Sequence, residues 1–109
     1  MALDTNDLLK QMVAAASASL SSKWPEIRDL ATTQLKQLAQ NLADIEVMKL
    51  KGSITEEQAQ LLIDMQKNTL KIILLTEEGL GLLAVEAAIN AVVDVISAPV
   101  NKALGWSLL

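Results

Sequence analysis

Between Ile72 and Asn101 the chain carries no Lys or Arg, and its apolar residues outnumber its polar ones. The polar residues in the second half of that stretch are not scattered. Glu86, Asn90, Asp94, Ser97 and Asn101 follow one another at spacings of four, four, three and four. At about 100° per residue they fall within a sector of roughly 80° on one helix face. A helix that is apolar over the remainder is buried in protein or in a membrane. The segment therefore points to an all-α fold whose last helix is largely buried.

Composition narrows the function classes. With 109 residues there is room for one helical domain and a modest core. An apolar content of 51% is rich for so short a soluble chain, and the surplus has to find a partner. Net charge is −4, and nine Lys and Arg are spread thinly between Lys10 and Lys102. No basic cluster is present to neutralise phosphates, so nucleic acid is not an expected partner, and an anionic membrane surface would repel the chain. Cysteine and histidine are both absent, which removes thiolate chemistry, the commonest general base and the commonest transition-metal ligand. Neither an enzyme nor a cofactor is expected, and the expected metal set is empty. The N-terminal run MALDTNDLLKQM has acidic residues where a signal peptide needs basic ones, so the expected location is the cytoplasm.

Local signals divide the chain into three or four helices, at about 5–22, 25–51, 55–78 and 80–103. Asp4 or Thr5 can cap the first, and Leu8, Leu9, Met12, Val13, Ala16 and Leu20 mark its apolar face. Small residues from Ala14 to Ser22 allow either close helix contact or a fraying end. Pro25 suits the first turn of the second helix. Its seam is Ile27, Ala31, Leu35, Leu38, Leu42 and Ile45, and Gly52 can close it in the left-handed conformation. The sharpest local feature is Ile54-Thr55-Glu56-Glu57-Gln58-Ala59, with Thr55 as cap, Gln58 reaching back, and Ile54 and Ala59 at staple positions. So short a connection folds the second and third helices into an antiparallel hairpin. In the third helix Gln60, Asp64, Lys67 and Lys71 are read as the solvated face, opposite Leu62, Met65, Ile72 and Ile73. Gly79 and Gly81 favour a break over one long helix, because each costs roughly 1 kcal/mol inside a helix. Pro99 is expected to end or kink the last helix, and Trp24 and Trp106 to pin helix ends.

The resulting expectation is an antiparallel bundle of three to four helices built on the hairpin. Function is less legible. The stripe Glu86, Asn90, Asp94, Ser97 and Asn101 has three readings: a narrow solvent face, a buried network that sets oligomer register, or a ligand site. Flanking it, Ala84, Ala87, Ala88, Ala91 and Ala98 form a small-residue side that admits close helix approach. Those alanines pack either on a second copy or on the small residues of the chain's own first helix. A helix apolar over about 280° cannot turn all of its surface into one small core. The expected product is a homodimer or tetramer with Trp106, Leu108 and Leu109 joining the alanines in the interface. The expected function is a non-enzymatic interaction or scaffold protein, acting on itself or on a partner protein's helix. The alternative is membrane association through residues 72–109. Ten Leu, Ile and Val residues from Gly79 to Val100 favour insertion by roughly 3 to 6 kcal/mol, but Glu86 and Asp94 oppose it at about 2.5 to 3.5 kcal/mol each.

Overall fold

Four helices account for most of the structure, and each starts or stops at a residue with a physical reason to be there. The computed structural model describes residues 3–109. Helix α1 (Thr5–Leu20) is capped by Asp4, whose carboxylate accepts from the amides of Asn6 and Asp7 at 2.9 and 3.2 Å. A single 3-10 turn (Ser21–Lys23) leads into α2 (Trp24–Leu50), with Pro25 in its first turn. Gly52 takes φ 69° after α2. Its amide donates to the Lys49 carbonyl at 2.9 Å and that of Ser53 to the Met48 carbonyl at 2.9 Å, which is the Schellman closure. Helix α3 (Glu56–Leu75) opens on a complete capping box. The Gln58 amide donates to Thr55 Oγ1 at 3.1 Å, and the Thr55 amide to Gln58 Oε1 at 3.0 Å.

The break between the third and fourth helices is present. Helix α3 stops at Leu75, three residues short of the expected end, where Thr76 Oγ1 donates to the Ile73 carbonyl. Gly79 then adopts φ 90° and the chain resumes as α4 (Leu82–Leu104). Pro99 does not end that helix. It sits inside α4 on an exposed side, and the left-handed Gly105 closes the helix instead.

Three contacts set the directions. The Leu3 amide donates to Glu46 Oε1 at 3.3 Å, placing the start of α1 beside the end of α2. The Lys49 ammonium lies 4.7 Å from the centre of the Trp106 ring, so α2 and α4 finish at the same end. At the other end, the Lys23 side chain covers Gly79, so closely that a Cβ there would sit 2.6 Å from Nζ. The result is an up-down-up-down bundle. Helix α1 packs on α2 and α4, α3 packs on the same two, and α2 meets α4 across the short diagonal. The most extensive pairing is α1 with α4. The long dimension of 43 Å matches α2, whose 27 residues rise about 40 Å.

The core runs the length of the bundle. Leu8, Met12, Ala16 and Leu20 supply it from α1, and the whole expected seam of α2 is buried. From α4 come Val85, Ala88, Ile89, Val92, Ile96, Val100 and Leu104. The only charged residue buried among those described is Glu46, whose carboxylate receives the Leu3 amide.

One backbone position is out of keeping with its residue. Ser21 has φ 52° and ψ −117°, a conformation suited to glycine, and its side chain is exposed. Such positions cost on the order of 1–3 kcal/mol in a residue with a Cβ. Ser21→Gly relieves the strain at a smaller entropic cost in the unfolded chain, so stability should rise by about 1 kcal/mol. Urea titration checks this, and a lower midpoint would refute it.

Candidate helix-docking face

Helix α3 has two apolar sectors on opposite sides. Ala59, Ile63, Leu70 and Leu74 turn into the core. Leu61, Met65 and Ile72 turn outward and are 61%, 55% and 65% exposed, with Leu62 and Leu75 less exposed at the edges. On a helical projection the centres of the two groups lie about 170° apart. This corrects the expectation that Leu62, Met65, Ile72 and Ile73 form the inner face: only Ile73 escapes exposure, and then only in part.

The outward residues are ordered. Gln58, Leu61, Met65, Asn68, Ile72 and Leu75 follow in alternating steps of three and four, the spacing that keeps a seam facing a second helix. Four of the six are large and apolar. Glu57, Asp64 and Lys71 run along one side of the seam, and Leu62, Thr69 and Thr76 along the other. Asp64 already accepts from Gln60 Nε2 at 3.1 Å and lies 3.8 Å from Lys67 Nζ. Beside the seam a groove of about 170 Å³ runs between α2 and α3, lined by Asn41, Asp44, Ile45, Met48, Leu62 and Met65. Single exposed leucines are ordinary on a protein surface, and several large apolar residues exposed along one helix face are less so.

Elsewhere the chemistry is sparse. Within the core, Ala16, Leu35, Leu70 and Ala88 are among the lining of an apolar cavity of only about 10 Å³, at the lower limit for one water. No group of three or more His, Cys, Asp or Glu side chains able to hold a metal ion occurs among the described residues. Compared with known protein families, curated proteins and solved structures, the chain matches none.

The residues singled out on α4 differ in exposure. Glu86, Asn90 and Asp94 are exposed, while Ser97 and Asn101 are half-buried. Asn101 has a separate task. Its Oδ1 accepts from the amides of Leu108 and Leu109, and its Nδ2 donates to the Leu109 carbonyl, all at 3.0 Å. The alanine side divides as well. Ala84, Ala87 and Ala98 are exposed and Ala91 is half-buried, but Ala88 is 2% exposed inside its own bundle. In the tail Leu108 is buried by its own chain, and Trp106 and Leu109 pack partly against the core. Ala88 and Leu108 are therefore covered by the chain itself and offer nothing to a partner.

The outer stripe of α3 was missed, although a signal for it existed. The staple position puts Ala59 inward, and Ile63, Leu70 and Leu74 follow it at helical spacing. Everything apolar on the far side is then left over.

Proposed function

We propose that this chain is a non-enzymatic interaction protein that works by accepting a helix against the outer face of α3. The observation that carries the reading is the seam Leu61, Met65, Ile72 and Leu75, held outward at coiled-coil spacing on a helix whose opposite side already fills the core. Bundles do not need two apolar faces on one helix in order to fold. The reading keeps the expected class, self-association or partner-helix binding in the cytoplasm, and moves the contact surface from α4 and the tail to α3.

A photo-crosslinking amino acid at Met65 should give a discrete adduct in cells, while the same group at exposed Lys36 on α2 should give none. The adduct's mass distinguishes a second copy from another protein. No adduct from position 65 would end the reading. In parallel, the double substitution Leu61→Lys with Ile72→Lys should leave folding stability within about 0.5 kcal/mol, since both side chains are exposed, and should abolish the adduct.

Membrane association is the second reading, and one observation favours it: α4 is the single described helix long and apolar enough to cross a bilayer, with mean hydropathy 1.7 in its best window. Against it stand Glu86 and Asp94 on that helix and the seven α4 side chains that α1 and its neighbours cover. Flotation with zwitterionic vesicles decides between the two. The helix-docking reading expects the protein to stay at the bottom of the gradient.

A further inference from the structure

We infer that the helix received by α3 is the α3 of a second copy, docked antiparallel about a two-fold axis that crosses between Gln66 and Lys67. This rests on the docking reading above and adds the occupant, its direction and its register.

The seam is self-complementary in that one arrangement. With the helices reversed about the 66–67 midpoint, Leu61 meets Ile72 of the second copy, Gln58 meets Leu75, and Met65 meets Asn68. Each seam position thus finds another seam position, and the two apolar pairs Leu61–Ile72 form symmetrically on either side of the axis. The two Asn68 side chains come into adjacent layers, about 5 Å apart along the helix direction, where one amide can reach the other. A polar residue in a seam fixes register at some loss of affinity.

The flanking charges select the same arrangement. In an antiparallel pair, the side bearing Glu57, Asp64 and Lys71 faces its own copy. Asp64 then lies about 3 Å along the axis from Lys71 of the second copy, and symmetry makes the pair twice. A parallel pair would set Glu57, Asp64 and Lys71 opposite Leu62, Thr69 and Thr76, with no charge pair at all. Opposite charges across the seam determine direction and partner choice more than they determine affinity. Within one copy both contacts of Asp64, the Gln60 Nε2 donor at 3.1 Å and the Lys67 ammonium at 3.8 Å, fall on Oδ1, so Oδ2 can take a second cation.

The native chain has no cysteine, which makes engineered thiols clean reporters of register. Sedimentation equilibrium of the full chain between about 1 and 100 μM should show a reversible dimer of twice 11.7 kDa. Asp64→Lys and Lys71→Glu, each alone, place like charges across the seam and should weaken the dimer about tenfold. Combined in one chain they restore opposite charges, and affinity should return to within about threefold of wild type. On oxidation, Leu61→Cys mixed with Ile72→Cys should link one chain of each kind. Leu61→Cys alone should not link to itself, because its two copies lie about 16 Å apart along the axis. Self-linking of Leu61→Cys alone would establish a parallel pair and overturn the proposal. A wild-type monomer at about 100 μM would overturn the second copy as occupant; an adduct from Met65 to a different protein would then leave the docking reading standing. A dimer indifferent to Asp64, Lys71 and the α3 cysteines would overturn the proposal too, and without a Met65 adduct the docking reading would fall with it.

Discussion

Ala88→Glu is expected to unfold the protein or to cost at least about 4 kcal/mol, while Ala87→Glu, one residue away, should change stability by less than about 0.5 kcal/mol. Ala88 is 2% exposed and lines a cavity of about 10 Å³ where all four helices meet, with Ala16, Leu20, Leu35 and Leu70 among its neighbours. Four extra heavy atoms cannot enter that space without moving a helix, and overpacking alone costs about 1–3 kcal/mol. The carboxylate finds no polar lining there, so it must either take up a proton or draw water into the core. A domain of this size has a total stability of about 5–15 kcal/mol, and little of that would survive. Ala87 points to solvent from the neighbouring position, where Glu is a better helix former than most residues. Urea titration followed by circular dichroism checks both variants. The pair also separates two roles for α4. An interface alanine replaced by Glu would give a folded monomer, whereas a core alanine gives a disordered chain. A folded, cooperative Ala88→Glu protein would mean that α4 and α1 do not pack as closely as described.

Helix positions were legible because local signals agree with tertiary packing. Asp4, Pro25, Gly52 and the Thr55–Gln58 box each sit where their backbone chemistry requires, and they bound the helices to within a few residues. The seam of α2 was legible for another reason: polar residues fill its other side, so only one face could be buried. Helix α3 defeats that logic. It is apolar on two opposite sides, with Gln60, Asp64, Lys67 and Lys71 between them, and periodicity alone ranks the bulkier outward side first. The inner side passes unnoticed because Ala59 is small and because Gln66 and Lys67 interrupt it, both half-buried. On α4 the difficulty was the reverse. Its alanines look like one flank, but α1 covers Ala88 and leaves Ala84, Ala87 and Ala98 in solvent, a division set by where the neighbouring helix crosses.

Asn101→Ala should lower stability by about 3 kcal/mol and release the tail from Gly105 onward. Three hydrogen bonds of 3.0 Å join this one side chain to the backbone of Leu108 and Leu109, and all are partly buried. Truncation leaves the amide of buried Leu108 without its acceptor, and an unmade buried hydrogen bond costs about 1–3 kcal/mol. If the tail leaves to satisfy that amide in water, the Leu108 side chain is exposed instead, which costs about 1.5–3 kcal/mol. Either route destabilises, and the second also frees Trp106 from its place under Lys49. The melting temperature should therefore fall by on the order of 10 °C. In a Trp24→Phe background, Trp106 emission should shift to the red before the helices melt, since it is then the only tryptophan. Asn101→Asp keeps both acceptor bonds but turns a carboxylate oxygen toward the Leu109 carbonyl in place of the Nδ2 donor, so it should remain less stable than wild type. Unchanged Trp106 emission in Asn101→Ala, with a melting point within about 2 °C of wild type, would show that Leu108 holds the tail by itself. Asn101 lies in line with Glu86, Asn90 and Asp94, yet it is a structural clasp, and no periodicity could have distinguished it from its solvated neighbours. Its partners are seven and eight residues further on, beyond the left-handed Gly105 that turns the chain back.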